Sequence, residues 1–153
     1  MNIELKIMEF GDRAVCENIL RSLPTWFGIE TAIIDYVNTS YKIPMIIAYY
    51  DKKAIGFVSL KIHNSFSAEV YVMGVDERYH GNGVGRKLLT AVENYLRDKG
   101  LEFLQVKTLA QERECNAYAK TRLFYKSYGF KELEVFPDFW DKDNPCLLMI
   151  KNI

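Results

Sequence analysis

Residues 67–100 show the pattern of a strand, a glycine-rich turn and an amphipathic helix, and this unit limits the folds that the chain can adopt. Alternating apolar residues in SAEVYVMGV (67–75) predict a strand. HGNGVGRKLL (80–89) then places three glycines at alternate positions, directly before a helical pattern over residues 83–99. Because glycine is a poor helix former that tolerates positive φ, these glycines predict a tight turn at the start of the helix.

The helix over 83–99 is predicted to bury one stripe of side chains. Its apolar residues recur every four positions, at Val84, Leu88, Val92 and Leu96. The opposite face carries charged residues, namely Arg86, Glu93 and Arg97, and Gly100 is a suitable C-terminal stop. The helix should therefore pack against a sheet with its charged face in solvent.

The rest of the chain alternates strand and helix patterns. Strands are predicted at 2–8, 44–51, 55–62, 101–109, 130–136 and 146–151, and helices at 12–22, 29–37 and 113–127. The strands at 44–51, 55–62 and 67–75 are joined by short turns, so they form an antiparallel meander. No repeat or linker interrupts residues 1–153, which predicts one domain of mixed α/β structure, α+β in character.

Charge and cysteine content exclude several classes of function. Twenty basic residues balance twenty acidic ones, so no general attraction to nucleic acid is expected. Three distant cysteines without a CxxC pair indicate reduced thiols, and only two histidines argue against a zinc site. No apolar run approaches the ~20 residues that span a bilayer, and the N-terminus does not resemble a signal peptide. We expect a cytoplasmic protein that needs no metal, membrane or nucleic acid.

The glycine-rich turn is suited to hold an anion. Unpaired N–H groups and the positive end of the dipole meet at a helix N-terminus, and glycines let a phosphate approach the backbone. Two familiar phosphate motifs do not fit. In the nucleoside triphosphate loop a lysine follows the last glycine, but Arg86 follows Gly85, and the third glycine of GxGxxG falls on Arg86 or Leu88. A tight turn without any ligand remains the alternative.

The segment MGVDERYHGNGVGRKLL resembles the cofactor-binding segment of the GNAT superfamily of N-acetyltransferases. Residues that fall on the family pattern are Met73, Val75, Tyr79, Gly81, Gly83, Val84 and Gly85. Two positions depart from it: His80 stands where Arg or Gln is usual, and Glu77 where Pro is common. The later segment FYKSYGF (124–130) also resembles a family motif, and the order of elements fits from Ile3 to Ile150.

This resemblance implies a GNAT-like fold, with a mostly antiparallel twisted sheet of six to seven strands flanked by about four helices. It also implies that acetyl-CoA is the acetyl donor, with its pyrophosphate on residues 80–86. The cofactor-binding residues implied are Met73, Gly74, Val75, His80, Gly81, Asn82, Gly83, Val84, Gly85 and Arg86. The family's strand carries a bulge, and Gly74 is the expected place for it.

Glu69 is the candidate catalytic base for acetyl transfer to an amine. A free alkyl amine has a pKa near ~10 and must lose a proton before it attacks. In a strand without a bulge, Glu69 and Val75 point to the same side because they are six residues apart. Some family members carry a catalytic glutamate at this spacing, acting directly or through water. A solvated strand carboxylate is the alternative.

Tyr125 is the candidate acid, since the family's tyrosine in this segment approaches the coenzyme sulfur. Aromatic packing with Phe124 and Phe130 is the alternative. Many relatives have an asparagine seven residues earlier, where this chain has Tyr118. Arg122 shares the helix face of Tyr118 and Tyr125; it is expected in solvent, with a phosphate or an acidic substrate as the alternative partner.

Two aromatic segments are candidates for the acceptor pocket. The segment between the first two helices supplies Trp26, Phe27 and Tyr36. A predicted loop over 136–145 adds Phe139 and Trp140 beside three carboxylates, Asp138, Asp141 and Asp143, a combination that suits a cationic amine. A surface loop that covers the edge of the core is the alternative.

The sequence therefore predicts an acetyl-CoA-dependent N-acetyltransferase in which a primary amine attacks directly in a ternary complex. The acceptor is a small-molecule or protein amine. The main alternative is a non-catalytic acyl-CoA-binding sensor or regulatory module, which would need neither Glu69 nor Tyr125. A homodimer through an exposed strand edge is left open.

Overall fold

The computed structural model describes residues 1–153 and contains four helices and seven strands, and the strands form one sheet. Their order is β1 (Glu4–Met8), α1 (Arg13–Arg21), α2 (Glu30–Ser40), β2 (Met45–Tyr50), β3 (Lys53–Ile62), β4 (Ser67–Val75), α3 (Val84–Asp98), β5 (Phe103–Leu109), α4 (Asn116–Tyr128), β6 (Lys131–Asp141) and β7 (Asn144–Asn152). The predicted α+β class, with about four helices and up to seven strands, is confirmed.

The sheet has the order β1-β2-β3-β4-β5-β7-β6. All neighbouring strands are antiparallel except β4 and β5, and β2, β3 and β4 form the predicted meander. The parallel pair is short, because only Ser67–Val70 of β4 pairs with Phe103–Val106 of β5. Beyond Val70 the two strands diverge, and this side of β4 has no strand partner. The sheet therefore opens between β4 and β5.

Helices cover both sides of the sheet. On the α3 face, α3 and α4 bury the larger core, which includes the four predicted stripe residues Val84, Leu88, Val92 and Leu96. On the α1 face, α1 and α2 cover a smaller core around Leu20, Phe57 and Val72. The stripe prediction is confirmed because each of its residues is at most 1% exposed.

Glu93 was predicted in solvent, and this was wrong. Its side chain is buried at 6% exposure and accepts a hydrogen bond from the Tyr128 hydroxyl at 2.6 Å. It also pairs with Lys151 of β7. Glu93 therefore links α3 to α4 and to the sheet, which the helical spacing alone does not reveal.

The bulge in β4 lies at Tyr71, not at the predicted Gly74. Leu60 of β3 pairs with Val70 and Ser59 pairs with Val72, so Tyr71 is the extra residue. Gly74 pairs regularly with Phe57. A Cβ atom at Gly74 would lie 2.9 Å from Cγ2 of Ile19, so glycine is required here for the close packing of α1.

The predicted loop over 136–145 is mostly a β-hairpin. β6 continues to Asp141 and β7 begins at Asn144, so only two residues form the turn. The Asp141 carboxylate closes this turn by accepting hydrogen bonds from the Asp143 backbone N–H at 2.9 Å and from Asn144 Nδ2 at 3.0 Å. Pro137 is tolerated because β6 is an edge strand.

Cys16, Cys115 and Cys146 are free thiols. Burial raises the pKa of both Cys16 and Cys146 to about 11. None of the four helices has the length and apolar composition needed to cross a membrane.

Candidate active site

The glycine-rich turn presents backbone N–H groups at the N-terminus of α3. Gly81 and Gly83 both adopt a φ of +77°, and a Cβ atom at either position would meet nothing within 4 Å. These glycines are therefore needed for backbone conformation rather than for space. Gly83 caps α3 without a side-chain hydrogen bond, which leaves the N–H groups of the first turn unpaired within the helix.

Two neighbouring residues, Asn82 and Gly85, contribute to the same turn. Asn82 Nδ2 donates to the carbonyl oxygens of Tyr79 at 3.2 Å and His80 at 3.1 Å. Gly85 has a different role, since a Cβ atom there would lie 2.8 Å from Cζ of Phe124 in α4. Gly85 thus permits α3 and α4 to pack closely behind the turn.

The Arg86 side chain is turned towards the end of α4. Its Nη2 donates to the Ser127 carbonyl at 3.4 Å, and its guanidinium lies 5.3 Å from the centre of the Tyr128 ring. The Arg86 guanidinium is therefore directed along α4. The turn itself offers mainly backbone N–H donors.

The open edge of β4 adjoins this turn. The Asp76 N–H donates to Ile55 of β3 at 2.8 Å, so by alternation the backbone groups of Met73 and Val75 point away from β3, towards the opening. The Val75 carbonyl accepts a hydrogen bond from His80 Nε2 at 2.7 Å. His80, the residue that departs from the family pattern, therefore occupies a backbone acceptor on this edge.

Trp26, from the segment between α1 and α2, reaches across to α4 and to His80. Its Nε1 donates to Thr121 Oγ1 at 3.2 Å, and its ring lies 5.6 Å from the His80 ring, edge to face. The Tyr118 hydroxyl donates to the Trp26 carbonyl at 2.7 Å. Tyr118, which stands where relatives have asparagine, thus holds Trp26 against α4.

Glu69 and Val75 lie on opposite faces of the sheet, so the expectation that they point to the same side was wrong. The bulge at Tyr71 reverses the alternation between them. Val75 packs on the α3 face, whereas Glu69 lies on the α1 face opposite Lys61 of β3.

The Glu69 carboxylate is buried, at 6% exposure, and one of its oxygens takes all of its hydrogen bonds. Oε1 accepts from His63 Nε2 at 2.8 Å, Lys107 Nζ at 3.0 Å and Gln105 Nε2 at 3.1 Å. Oε2 makes no hydrogen bond to the protein. Since no fully buried side-chain oxygen lacks a partner, Oε2 is accessible from outside.

These contacts decide the protonation of Glu69. Burial acts to raise the pKa of Glu69, but the hydrogen bonds from Lys107 and His63 and the charge of Lys107 outweigh it and lower the pKa. Glu69 is consequently an ionised and weakly basic carboxylate at neutral pH.

Tyr125 is buried at 7% exposure, and its ring packs on Phe124 and Phe130 with centroid distances of 5.5 Å each. Its hydroxyl forms no hydrogen bond with the protein and is not among fully buried atoms without partners. Burial raises the pKa of Tyr125, with contributions from Tyr118 and Tyr36. Tyr125 therefore combines a ring that packs on its neighbours with a protonated hydroxyl that makes no hydrogen bond to the protein.

Tyr36 of α2 lies in an aromatic cluster on the α1 face. Burial raises the pKa of Tyr36 to about 12, with further contributions from Tyr71 and Glu69. Its ring lies 5.3 Å from Tyr71 and 6.0 Å from Phe27. Tyr36 therefore packs between Phe27, from the segment before α2, and Tyr71, the bulge residue of β4.

The hairpin of β6 and β7 contributes Phe139 to this region. The Phe139 ring lies 5.1 Å from Lys107 Nζ, so its cation–π contact is made with the protein's own lysine. Arg122, expected in solvent, instead donates from Nη1 to the Leu109 carbonyl at 2.7 Å and fastens α4 to the end of β5.

Three residues that contact Glu69 were not identified from the sequence: His63, Gln105 and Lys107. Gln105 and Lys107 alternate along β5, which indicates that they share one face of the sheet. That signal does not reveal their contact with Glu69, because the pairing of β5 with β4 is a long-range feature. No group of three or more His, Cys, Asp or Glu side chains is arranged to hold a metal ion.

Comparison with known proteins gives the same fold. The structure of a GNAT family acetyltransferase from Elizabethkingia anophelis with acetyl-CoA bound superposes with a TM-score of 0.76 at 18% identity, covering 99% of both chains. The ribosomal-protein-S18-alanine N-acetyltransferase from Escherichia coli superposes with a TM-score of 0.78 at 17% identity, covering 99% of this chain and 94% of that one.

A sequence match to a curated protein is shorter. The chain is 42% identical over 57 residues to a mycothiol acetyltransferase from Thermomonospora curvata, which covers 37% of this chain and 19% of that protein. The match thus spans about a fifth of that relative's length. The model of the acetyltransferase (GNAT) family matches residues 17–130, which include α3 with its glycine-rich turn, Glu69 and Tyr125. The chain therefore belongs to the acetyltransferase (GNAT) family.

Proposed function

We propose that this protein transfers an acetyl group from acetyl-CoA to a primary amine by direct attack in a ternary complex. The observation that carries the proposal is the junction of two features. A turn with two positive-φ glycines at the N-terminus of α3 adjoins the unpaired edge of β4. A long substrate with a phosphate end and an amide-bearing arm fits such a junction.

The turn at residues 80–86 binds the pyrophosphate through the N–H groups of the first turn of α3. The backbone groups of Met73 and Val75 pair with the amide-bearing arm along the open edge of β4. His80 already donates to the Val75 carbonyl at 2.7 Å, so an arm that pairs with this carbonyl displaces His80 or shares the oxygen with it. His80 therefore competes with the donor substrate for the Val75 carbonyl.

Glu69 receives the acceptor amine on the α1 face. Because its pKa is lowered, Glu69 is too weak a base to deprotonate an ammonium group with a pKa near ~10 in one step. Its accessible Oε2 instead orients the amine or a water molecule that carries the proton to solvent.

Transfer proceeds as the neutral amine nitrogen attacks the thioester carbonyl carbon. The new C–N bond forms, the C–S bond breaks, and the amine proton leaves through water near Glu69. The departing thiolate takes a proton from the Tyr125 hydroxyl, which is protonated at neutral pH because burial raises its pKa. Solvent then reprotonates Tyr125.

Thermal shift with acetyl-CoA, followed by an amine panel read out by release of free thiol, tests this function. We expect acetyl-CoA to raise the melting temperature and at least one amine to release thiol. Stabilisation without turnover across a broad panel would favour the non-catalytic sensor. Absence of stabilisation by any acyl-CoA would contradict both functions.

A further inference from the structure

We propose that the amine acceptor carries an anionic group, a carboxylate or a phosphate, which Lys61 binds beside Glu69. This inference rests on the proposed acetyl transfer and names the class of substrate for that site. The observation that carries it is Lys61 of β3, a half-buried lysine without a salt bridge that pairs in register with Glu69 of the neighbouring strand β4.

Lys61 is held in place next to the site. It pairs in register with Glu69 across β3 and β4, so both side chains project from the α1 face with Cβ atoms about 5 Å apart. Its Nζ lies 4.0 Å from the centre of the Tyr71 ring, the bulge residue of β4. Stacking on Tyr71 fixes the direction of the ammonium group and keeps it within reach of a ligand at Glu69.

The positive charge of Lys61 has no carboxylate partner. Glu69 is already paired with Lys107 at 3.0 Å and with His63 at 2.8 Å, and Lys61 forms no salt bridge. The exposed Asp35 of α2 contributes to raising the pKa of Tyr71 but makes no ion pair with Lys61. Lys61 and Lys107 thus both lie beside the buried Glu69 carboxylate, and the exposed Asp35 is a second acidic group close enough to act on Tyr71.

The Asp141 carboxylate of the hairpin does not offset this charge. Asp141 is engaged in the turn by Asn144 and by the Asp143 backbone, and Phe139 contacts Lys107 rather than an outside cation. A substrate with several ammonium groups would place at least one of them close to Lys61 or Lys107, where like charges repel. Polyamine-like acceptors are therefore disfavoured.

An acceptor with one amine and one anionic group can bind both Glu69 and Lys61. Its amine lies at the accessible Oε2 of Glu69, and its anion lies at Lys61 Nζ. Since the two side chains start about 5 Å apart, the amine and the anion belong to one small molecule or to one residue of a peptide. Tyr71 and Tyr36 supply the aromatic walls between them.

The test uses ω-amino acids with one to five methylene groups, each compared with its carboxamide, and phosphoethanolamine compared with ethanolamine. We expect kcat/KM for the preferred anionic amine to exceed that of its neutral counterpart about tenfold. The two series distinguish a carboxylate from a phosphate, and the methylene series measures the separation of amine and anion.

Lys61→Met keeps the stem of the side chain on Tyr71 and removes the charge. We expect it to raise KM for the anionic amine about tenfold, with kcat and the values for the neutral counterpart nearly unchanged. Lys53→Met, at the exposed start of the same strand, is the matched control and should change neither. The inference would be overturned if Lys61→Met had equal effects on an anionic amine and on its neutral counterpart, or if the protein showed no preference for anionic amines.

Calorimetry measures binding of the same amines without turnover, because the protein is saturated with CoA, the product formed from acetyl-CoA. If no amine is acetylated but anionic amines bind in a Lys61-dependent manner, the acetyl transfer fails and the anion site stands. If amines are acetylated without preference for an anion, the transfer stands and the anion site fails.

Discussion

Glu69 is the residue at which burial and hydrogen bonding compete most directly. Because folding lowers its pKa, ionised Glu69 stabilises the folded protein above its ordinary pKa. That contribution is lost as the pH falls through the lowered value. Across neutral pH its charge is constant, so any pH dependence of the rate in this range must come from another group.

Glu69→Gln should therefore lower kcat about 100-fold while leaving the alkaline-rising limb of the pH–rate profile in place. We expect that limb to follow the pKa of the acceptor amine in both proteins. Initial rates between pH 6 and 10 at saturating acetyl-CoA provide the measurement. A limb that disappears in the variant would show instead that Glu69 titrates in this range and acts as the direct base.

Tyr125→Phe removes the unengaged hydroxyl and keeps the ring on Phe124 and Phe130. We expect kcat to fall about 100-fold, with little change in the dissociation constant of acetyl-CoA. Tyr128→Phe on the same helix is the control. It loses a hydrogen bond to Glu93, which costs about 1 kcal/mol of stability, and should keep a normal kcat. A normal rate for Tyr125→Phe would reduce this tyrosine to packing.

Among the helices and strands, α3 allows the effect of backbone strain to be distinguished from an effect on ligand binding. Gly83 and Gly100 stand at opposite ends of α3, with φ of +77° and +82° and open space around both. Alanine at either position should cost about 1 kcal/mol of unfolding free energy, measured by urea denaturation.

Only Gly83→Ala should also weaken acetyl-CoA binding, because it reorients the first N–H groups of α3. Titration of both variants with acetyl-CoA checks this difference. Equal affinities for the two variants would indicate a turn that serves the fold and not the donor substrate.

The sequence predicts elements well where one side of an element is buried. The stripe of α3 and the meander of β2 to β4 follow from such patterns. The end of β6 does not, because Phe139 and Trp140 are both exposed on an edge strand and show no alternation. The bulge at Tyr71 leaves no local mark either, whereas Gly74 resembles a bulge residue but serves the packing of α1.

The candidate site was predictable in its parts and not in its arrangement. The first family motif indicates the glycine-rich turn, and the later motif indicates Tyr125. The spacing of six residues from Val75 indicates Glu69. The contacts of Glu69 with Lys107 and His63, and those of Trp26 with α4, join residues distant along the chain. Such contacts depend on strand register and on helix placement, which a single sequence does not specify.

In the molecule as a whole, the opening between β4 and β5 lies between two groups of candidate residues on opposite faces of the sheet. The α3 face supplies the glycine-rich turn and Tyr125, and the α1 face supplies Glu69 and Lys61. In the proposed function, donor and acceptor meet at this opening, which begins just beyond Val70, because the sheet is continuous elsewhere. This topology favours a mechanism in which both substrates are bound together.

Initial-rate kinetics in which acetyl-CoA and an acceptor amine are varied together test whether both substrates are bound at once. Direct attack in a ternary complex predicts double-reciprocal lines that intersect, with no acetylated protein detected by mass spectrometry. Parallel lines together with a trapped acetyl-enzyme would contradict it, because they require an acetyl group to pass through the protein before the amine binds.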